Sequence, residues 1–229
     1  MKKILFIFLA LISFSSLIAQ ETDEKPAAET GDIAFESSDK IFDKTIFMFN
    51  EGFSFVQVTR LQKQEKTSNF VWTDRMIGIY ASVQTANFPL SDWYFRAQVL
   101  YPYQHIFNDM EVFAKQTVLY AFDFFFGMPF NFKSYKYVNI NFIPGLHGMY
   151  QLSDEYHLGY FGTGAIVGFE LPVSSRWTIL LDGTFSVDYA NLGGNSLMQP
   201  YDLAWSWQGS LGFRYSRAKL NNYSYLGHK

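Results

Sequence analysis

Hydrophobic and polar residues alternate strictly along residues 177–189. The odd positions are apolar apart from one glycine: Trp177, Ile179, Leu181, Phe185, Val187 and Tyr189. The even positions are polar apart from one leucine: Thr178, Asp182, Thr184, Ser186 and Asp188. Successive side chains of a β-strand point to opposite faces, so this pattern predicts a strand with one apolar and one polar face.

The length of this segment points to a membrane. At about 3.3 Å per residue and a tilt of about 40°, the strand rises roughly 30 Å. The hydrocarbon core of a bilayer is about that thick. The apolar face also has an aromatic residue at each end, Trp177 and Tyr189. We therefore predict a transmembrane β-strand whose apolar face meets lipid and whose polar face lines a lumen.

Seven further segments carry related patterns, which gives eight predicted strands: 50–60, 75–85, 93–103, 116–126, 137–149, 157–171, 177–189 and 204–216. Segments 61–74, 104–115 and 190–202 are predicted as long external loops, and 87–92, 127–136 and 172–176 as shorter periplasmic turns. An even strand count with this asymmetry predicts an all-β, antiparallel transmembrane barrel with both termini in the periplasm. Residues 41–49 are either a short amphipathic segment or an extra strand, which leaves up to ten strands open.

The chain divides into four predicted regions. Residues 1–20 carry Lys2 and Lys3 before an apolar run, the pattern of a cleaved signal peptide, with a retained N-terminal anchor as the alternative. Residues 21–44 hold eight acidic residues and three lysines and predict a flexible periplasmic segment. The barrel is assigned to 45–216, and 217–229 to a C-terminal tail.

Composition narrows the classes of protein. The chain of 229 residues is 48% hydrophobic and 20% aromatic, yet after residue 20 it has no apolar run long enough for a transmembrane helix. It contains no cysteine, which excludes disulfides, cysteine metal sites and a lipid anchored on an N-terminal cysteine. A net charge of −3 without a basic patch argues against nucleic-acid binding.

These features resemble the small eight-stranded outer-membrane barrels of the OmpA/OmpX/OmpW-like group. The resemblance covers about residues 50–216 and rests on strands such as 93–103, 177–189 and 205–215, on the signal and on the loop asymmetry. It implies a location in the bacterial outer membrane, with outer-membrane lipid and the barrel-assembly machinery as partners. Such barrels commonly end on an aromatic residue; here Tyr215 matches that ending, but the chain continues to Lys229.

The polar faces of the strands predict a charged cluster in the lumen. Its members are Arg96, Asp123, Glu170, Asp182, Asp188 and Arg214. Charges in so narrow a lumen need partners or water. Counting from the 104–115 loop predicts that Arg96 pairs with Asp123, and that Glu170 and Arg214 lie at a similar height near the periplasmic end. A plug of packed polar side chains is favoured over a gate or an ion path.

Tyrosine and tryptophan at the ends of the apolar faces predict anchors at the two membrane interfaces, because one end of each side chain is apolar and the other is polar. The predicted interface aromatics are Trp93, Tyr101, Tyr103, Trp177, Tyr189, Trp205, Trp207 and Tyr215. Three glycines on a polar face, Gly162, Gly164 and Gly168, lack the spacing of a phosphate loop and predict room for larger neighbours.

The histidines are the reason for considering an enzyme as an alternative function. His105, His147 and His157 lie near predicted external loops, Ser153 and Asp154 precede His157, and His228 is in the tail. Some outer-membrane lipid-modifying barrels use histidine and serine near the outer rim, but no His-x-Ser spacing occurs here. No two histidines have the spacing of a helical metal site. We predict no catalytic residues, no cofactor and no metal.

The sequence therefore favours a non-enzymatic integral outer-membrane protein that is structural or adhesive, or a narrow conduit for small apolar solutes. A soluble periplasmic ligand-binding barrel of the lipocalin type is the first alternative, since such a barrel hides its apolar face inside. An outer-membrane lipid-modifying enzyme is the second. A protein partner at the surface or in the periplasm is left open.

Overall fold

The computed structural model describes residues 46–63, 69–86, 88, 91–112, 118–134, 138–153, 157–174, 177–189 and 203–215. The predicted signal peptide, the acidic segment 21–44 and the tail 217–229 lie outside these residues, as do His228 and Asp154. No helix in the described part of the chain is long and apolar enough to cross a membrane.

The described residues form ten strand segments in one antiparallel sheet. They are β1 Ile46–Lys63, β2 Asn69–Ala86, β3 Tyr94–Phe107, β4 Met110–Glu111, β5 Val118–Gly127, β6 Phe130–Ser134, β7 Asn139–Ser153, β8 His157–Pro172, β9 Trp177–Tyr189 and β10 Leu203–Tyr215.

The sheet closes on itself. Neighbouring pairs run β1–β2–β3–β5–β7–β8–β9–β10, and β10 pairs back onto β1 with Asn50 opposite Arg214. The short strands extend this ring of eight: β4 pairs with the end of β3, and β6 pairs with β7 beyond the end of β5. The predicted antiparallel barrel is confirmed. Closure leaves no open sheet edge along the ring.

The strand predicted at 177–189 is found with those bounds, but several neighbours are longer than predicted. The segments 61–74 and 104–115 are not long loops within the described residues. β1 ends only at Lys63 and β2 already begins at Asn69. Residues 46–49 belong to β1. β3 continues to Phe107 and turns tightly through Asn108 and Asp109.

That tight turn has a local cause. Asn108 and Asp109 both have positive φ, 47° and 66°, and β4 starts immediately after them. Two consecutive residues in the left-handed region form the hairpin turn that matches strand twist, and Asn and Asp adopt it more readily than most residues. The predicted turn 127–136 is also interrupted, because Phe130–Ser134 forms β6.

Side chains alternate between the two faces of the barrel wall. In β9, Leu181 and Phe185 are exposed on the outside, whereas Thr184, Ser186 and Asp188 are buried inside. The same alternation runs through β3, β5, β7, β8 and β10. The apolar faces are therefore outside and the mainly polar faces inside. A soluble ligand-binding barrel requires the reverse arrangement.

We name the two ends of the barrel by the chain. The terminal end carries the first residues of β1 and the last residues of β10, and the loop end is the opposite one.

Candidate functional site

Three ionisable side chains meet at the centre of the lumen. His147 on β7 lies 2.6 Å from Asp123 Oδ2 through Nε2 and 2.8 Å from Asp188 Oδ1 through Nδ1. All three side chains are at most 2% exposed. Ser186 donates a hydrogen bond to Asp188 Oδ2 at 3.1 Å. We call His147, Asp123 and Asp188 the central trio.

The central trio carries a fixed number of protons. An ionised carboxylate is only an acceptor, so each of the two hydrogen bonds needs its own proton. Two protons shared among one imidazole and two carboxyl groups give the trio a net charge of −1, whichever atoms hold them. The trio is thus a partly neutralised charge cluster in a dry environment, where pairing is needed most.

A glycine makes this meeting possible. Gly162 on β8 lies opposite both His147 and Asp188 in register, so it separates the two residues across one strand. A Cβ atom at this position would lie 2.7 Å from Asp188 Oδ1. The absence of a side chain on β8 leaves the space through which His147 reaches Asp188. The prediction that inward glycines make room for larger neighbours is confirmed at this position.

Arg96 on β3 forms the next part of the interior. It is fully buried and donates to Thr184 Oγ1 at 3.1 Å and to Gln208 Oε1 at 3.2 Å. Gln208 also exchanges hydrogen bonds with Gln98 at 2.9 and 3.1 Å. These contacts cross the lumen from β3 to β9 and β10, so they close it with side chains.

The predicted ion pair between Arg96 and Asp123 is wrong. Within the described residues no ion pair joins them, and Asp123 bonds to His147 instead. In the register of β3 with β5, Arg96 lies opposite Phe125, and Gln98 lies opposite Asp123. The count from the 104–115 loop missed this two-residue shift.

A second charged cluster lies toward the terminal end. Arg214 on β10 donates to Glu170 Oε1 at 2.9 Å, to Asn50 Oδ1 at 2.7 Å and to Gln84 Oε1 at 3.4 Å. Asn141 donates to the same Glu170 oxygen at 2.8 Å. We call Arg214, Glu170, Asn50, Gln84 and Asn141 the terminal cluster. Glu170 and Arg214, predicted to lie at a similar height, are in direct contact.

A small cavity adjoins the terminal cluster. Its volume is about 20 Å³, and its lining includes Asp182 as well as Glu170, Asn141 and Arg214. This is roughly the space that one water molecule requires. Asp182 has no ion pair or hydrogen bond to another described residue, and Asn141 Oδ1 is buried without a partner. A water in this cavity would have polar groups to bind.

The half of the lumen toward the loop end is apolar. It is filled by a cluster of buried side chains contributed by most strands of the ring: Val56, Val58, Met76, Leu100, Ala121, Met149, Leu158, Tyr160 and Ala204. Each is at most 3% exposed. Above this layer, Arg60 donates to the Tyr160 hydroxyl at 3.1 Å and lies 5.6 Å from the centre of the Trp72 ring. Packed side chains thus fill the described interior on both sides of the central trio.

The histidines occupy three separate environments. His147 is in the central trio. His105 Nδ1 lies 2.7 Å from Asp74 Oδ1, and the two side chains are only 14% and 12% exposed. His157 is exposed and stacks on Tyr150 at 6.0 Å. The three are therefore not brought together, and the described residues contain no group of three or more His, Asp or Glu suited to a metal.

The predicted interface aromatics all lie on the outer face, in two bands. Trp93, Trp177 and Tyr215 are at the terminal end, where Trp177 and Tyr215 pack at 5.0 Å. Tyr101, Tyr103, Tyr189 and Trp205 are nearer the loop end, and Trp207 packs on Phe185 at 4.4 Å. Large apolar residues such as Phe53, Phe55 and Leu211 are exposed between the bands.

Two features were missed from the sequence. His147 falls on the inward face of its predicted strand together with Asn139 and Asn141, and that parity was the available signal for the central trio. A row of Gln57, Arg75 and Gln104 on the outer wall was hidden because two of its members fall at the edges of predicted loops.

Comparison with known proteins gives a likeness to solved structures. No protein-family model matches the chain, and no curated protein matches it. Among solved structures, the chain is similar to the crystal structure of Neisserial surface protein A, with a TM-score of 0.48 and 8% sequence identity. The similarity covers 75% of this chain and 97% of that one.

Proposed function

We propose that the protein is an integral outer-membrane β-barrel with a closed lumen, and that its role is structural or adhesive rather than enzymatic. One observation carries this proposal: a closed barrel exposes a band of large apolar side chains on its outside. Phe55, Phe53 and Leu211 are 66%, 53% and 44% exposed. Apolar surface on this scale marks contact with lipid or another protein. Aromatic residues at both edges of the band favour lipid.

The packing of the interior favours closure over conduction. An eight-stranded barrel has just enough internal space for its own side chains. Here the central trio, the Arg96 contacts and the apolar layer occupy that space, and the cavity beside the terminal cluster is about 20 Å³. We therefore prefer a structural or adhesive role to the narrow conduit for apolar solutes.

The lipid-modifying enzyme receives less support. Such an enzyme needs a nucleophile and a base within hydrogen-bonding distance at a rim that lipid can reach. The only histidine–carboxylate pair toward the loop end among the described residues is His105 with Asp74, and no hydroxyl nucleophile in those residues is bonded to His105.

The membrane placement is tested by a charge placed at two depths on one strand. Leu181→Arg puts a cation in the middle of the apolar band on β9, and Tyr189→Arg puts it at the edge. Lipid would make the central substitution cost about 2–4 kcal/mol and the edge one about 0–1 kcal/mol. The measurement is reversible folding into lipid vesicles. Equal, negligible costs would overturn the membrane placement and favour a soluble barrel.

Closure of the lumen is tested by planar-bilayer recording of the purified full-length protein. We expect no steady ionic current once insertion is verified by protease protection of the barrel. Reproducible single-channel steps from the inserted protein would contradict closure and favour the narrow conduit over a structural or adhesive role.

A further inference from the structure

One row of the outer wall departs from the apolar pattern around it. Gln57 on β1, Arg75 on β2 and Gln104 on β3 lie directly opposite one another in register. Val56 and Met76, the neighbours of Gln57 and Arg75, are buried in the lumen, so Gln57 and Arg75 face outward by alternation. A register shift between Arg75 and Met76 in the β2–β3 pairing turns Gln104 to the same face, where it bonds to Arg75. We call Gln57, Arg75 and Gln104 the donor row.

The hydrogen bonds of the donor row leave only donors for a ligand. Arg75 donates from Nε to Gln57 Oε1 at 3.1 Å and from Nη1 to Gln104 Oε1 at 2.8 Å. A guanidinium group has five N–H donors, so three remain, and each glutamine keeps its NH₂ group. Both glutamine oxygens are turned toward Arg75. The two glutamines therefore hold the guanidinium in place and add their own donors beside it.

The positive charge of the donor row is not neutralised within the protein. No carboxylate in the described residues forms an ion pair with Arg75. An arginine at the edge of an apolar band, with its charge unpaired and its donors oriented, is arranged to receive an anion.

The position of the row identifies the source of that anion. The next outward row toward the middle of the barrel is apolar and aromatic, with Phe55, Ile77 and Tyr101 66%, 42% and 54% exposed. The next row toward the loop end is mixed: Thr59 and Thr73 share a hydrogen bond at 3.2 Å and lie between Trp205 and Ile106. The donor row thus lies at the height of the loop-end aromatics, with Trp207 opposite Gln57 and Trp205 one outward row further on.

We propose that the donor row binds the phosphate group of a lipid in the leaflet at the loop end. The phosphate would accept hydrogen bonds from the free Arg75 donors and the glutamine amides, and the acyl chains would lie along Phe55 and Ile77. This inference rests on the proposed membrane location. It adds a lipid class, namely lipids whose headgroup is a phosphate monoester. A zwitterionic or bulky headgroup presents its phosphate less openly than a phosphate monoester does.

The test compares lipid binding by native mass spectrometry of the full chain in detergent micelles. The probes are phosphatidic acid, whose headgroup is a phosphate monoester, and phosphatidylcholine. We expect wild type to prefer phosphatidic acid, and Arg75→Gln to reduce that preference about five- to tenfold, the effect of losing one charge-assisted bidentate contact. Arg75→Lys should keep only part of it, because lysine lacks the planar fork.

Glu51→Gln is the matched control. Glu51 is also exposed on the outward face of β1 but lies toward the terminal end, so removing its charge should leave the preference intact. An equal loss in Arg75→Gln and Glu51→Gln, or no loss in Arg75→Gln, would overturn the inference. Inorganic phosphate is a second arm: if it displaces phosphatidic acid at equal concentration, the row is a site for soluble anions and the lipid source is wrong.

Failure of this inference is distinguishable from failure of the membrane location. If the protein is soluble without detergent and binds neither lipid, the proposed location fails. If it binds both lipids and shows no preference that depends on Arg75, only the donor row loses its role. Unchanged heat-modifiable gel mobility of each variant verifies that the barrel is folded.

Discussion

The lumen holds two charged clusters whose buried charges are stabilised in different ways. The central trio is sealed, with side chains at most 2% exposed and each carboxylate bonded to one imidazole. The terminal cluster spreads one guanidinium over three partners and adjoins a cavity of about 20 Å³. A sealed charge that loses its ionisable partner is costly, whereas a charge beside a cavity can be solvated by water. The difference predicts unequal tolerance to substitution.

The largest effect is expected for His147→Leu. The substitution removes both hydrogen bonds of the imidazole and leaves no polar partner between Asp123 and Asp188. We expect the free energy of unfolding to fall by roughly 3–5 kcal/mol. The measurement is urea unfolding in lipid vesicles, with His157→Leu on the outer wall as a control that should change little. A loss below about 1 kcal/mol in His147→Leu would contradict the sealed character of the trio.

Gly162→Ala should produce the next largest effect. The added methyl group would meet Asp188 Oδ1 and the Val187 carbonyl, and so would push β8 away from β9 at the point where His147 reaches Asp188. Overpacking of this kind costs about 1–3 kcal/mol. Gly183→Ala is the control, because a Cβ atom there meets nothing within 4 Å. Equal stability of the two variants in the same unfolding assay would argue against a spacing role for Gly162.

Arg214→Met should cost less than His147→Leu. Glu170 keeps the hydrogen bond from Asn141, and water in the adjoining cavity can solvate its carboxylate. We expect a loss of about 1–2 kcal/mol in the free energy of unfolding. A loss as large as that of His147→Leu would mean that the two clusters are equally dry.

The smallest effect is expected for Asp182→Asn. The side chain has no ion pair or hydrogen bond to lose among the described residues, and it borders the cavity. The free energy of unfolding should change by no more than about 0.5 kcal/mol. A larger destabilisation would identify a partner for Asp182 that lies outside the described residues.

The sequence predicted the barrel and its faces because apolar and polar residues alternate along the strands and so fall on opposite faces. Trp177–Tyr189 shows this most clearly, with both bounds and both faces as predicted. The pattern fades where a strand continues past the apolar band, since polar residues are then tolerated on both faces. This is why the extensions of β1, β2 and β3 were taken for loops.

The central trio was beyond the reach of sequence reasoning for a geometric reason. Asp123 and His147 lie on neighbouring strands, but Asp188 lies one strand further round, across Gly162. Alternation tells which face a side chain takes, but not which residues meet across a lumen. That depends on the register of several strands at once, and the Arg96 prediction shows that an error of two residues changes the partner.

The lengths of β1 and β2 give the barrel an uneven height. Each has 18 residues, so each rises about 43 Å when tilted by about 40°. The proposed lipid-facing band, about 25 Å tall in such barrels, is shorter than this hairpin. At its far end Trp72 packs on Phe107 at 4.4 Å, and Asn108 accepts a hydrogen bond from the Val71 amide at 3.0 Å. The longest described strands thus end beside an aromatic pair that links the β1–β2 hairpin to β3.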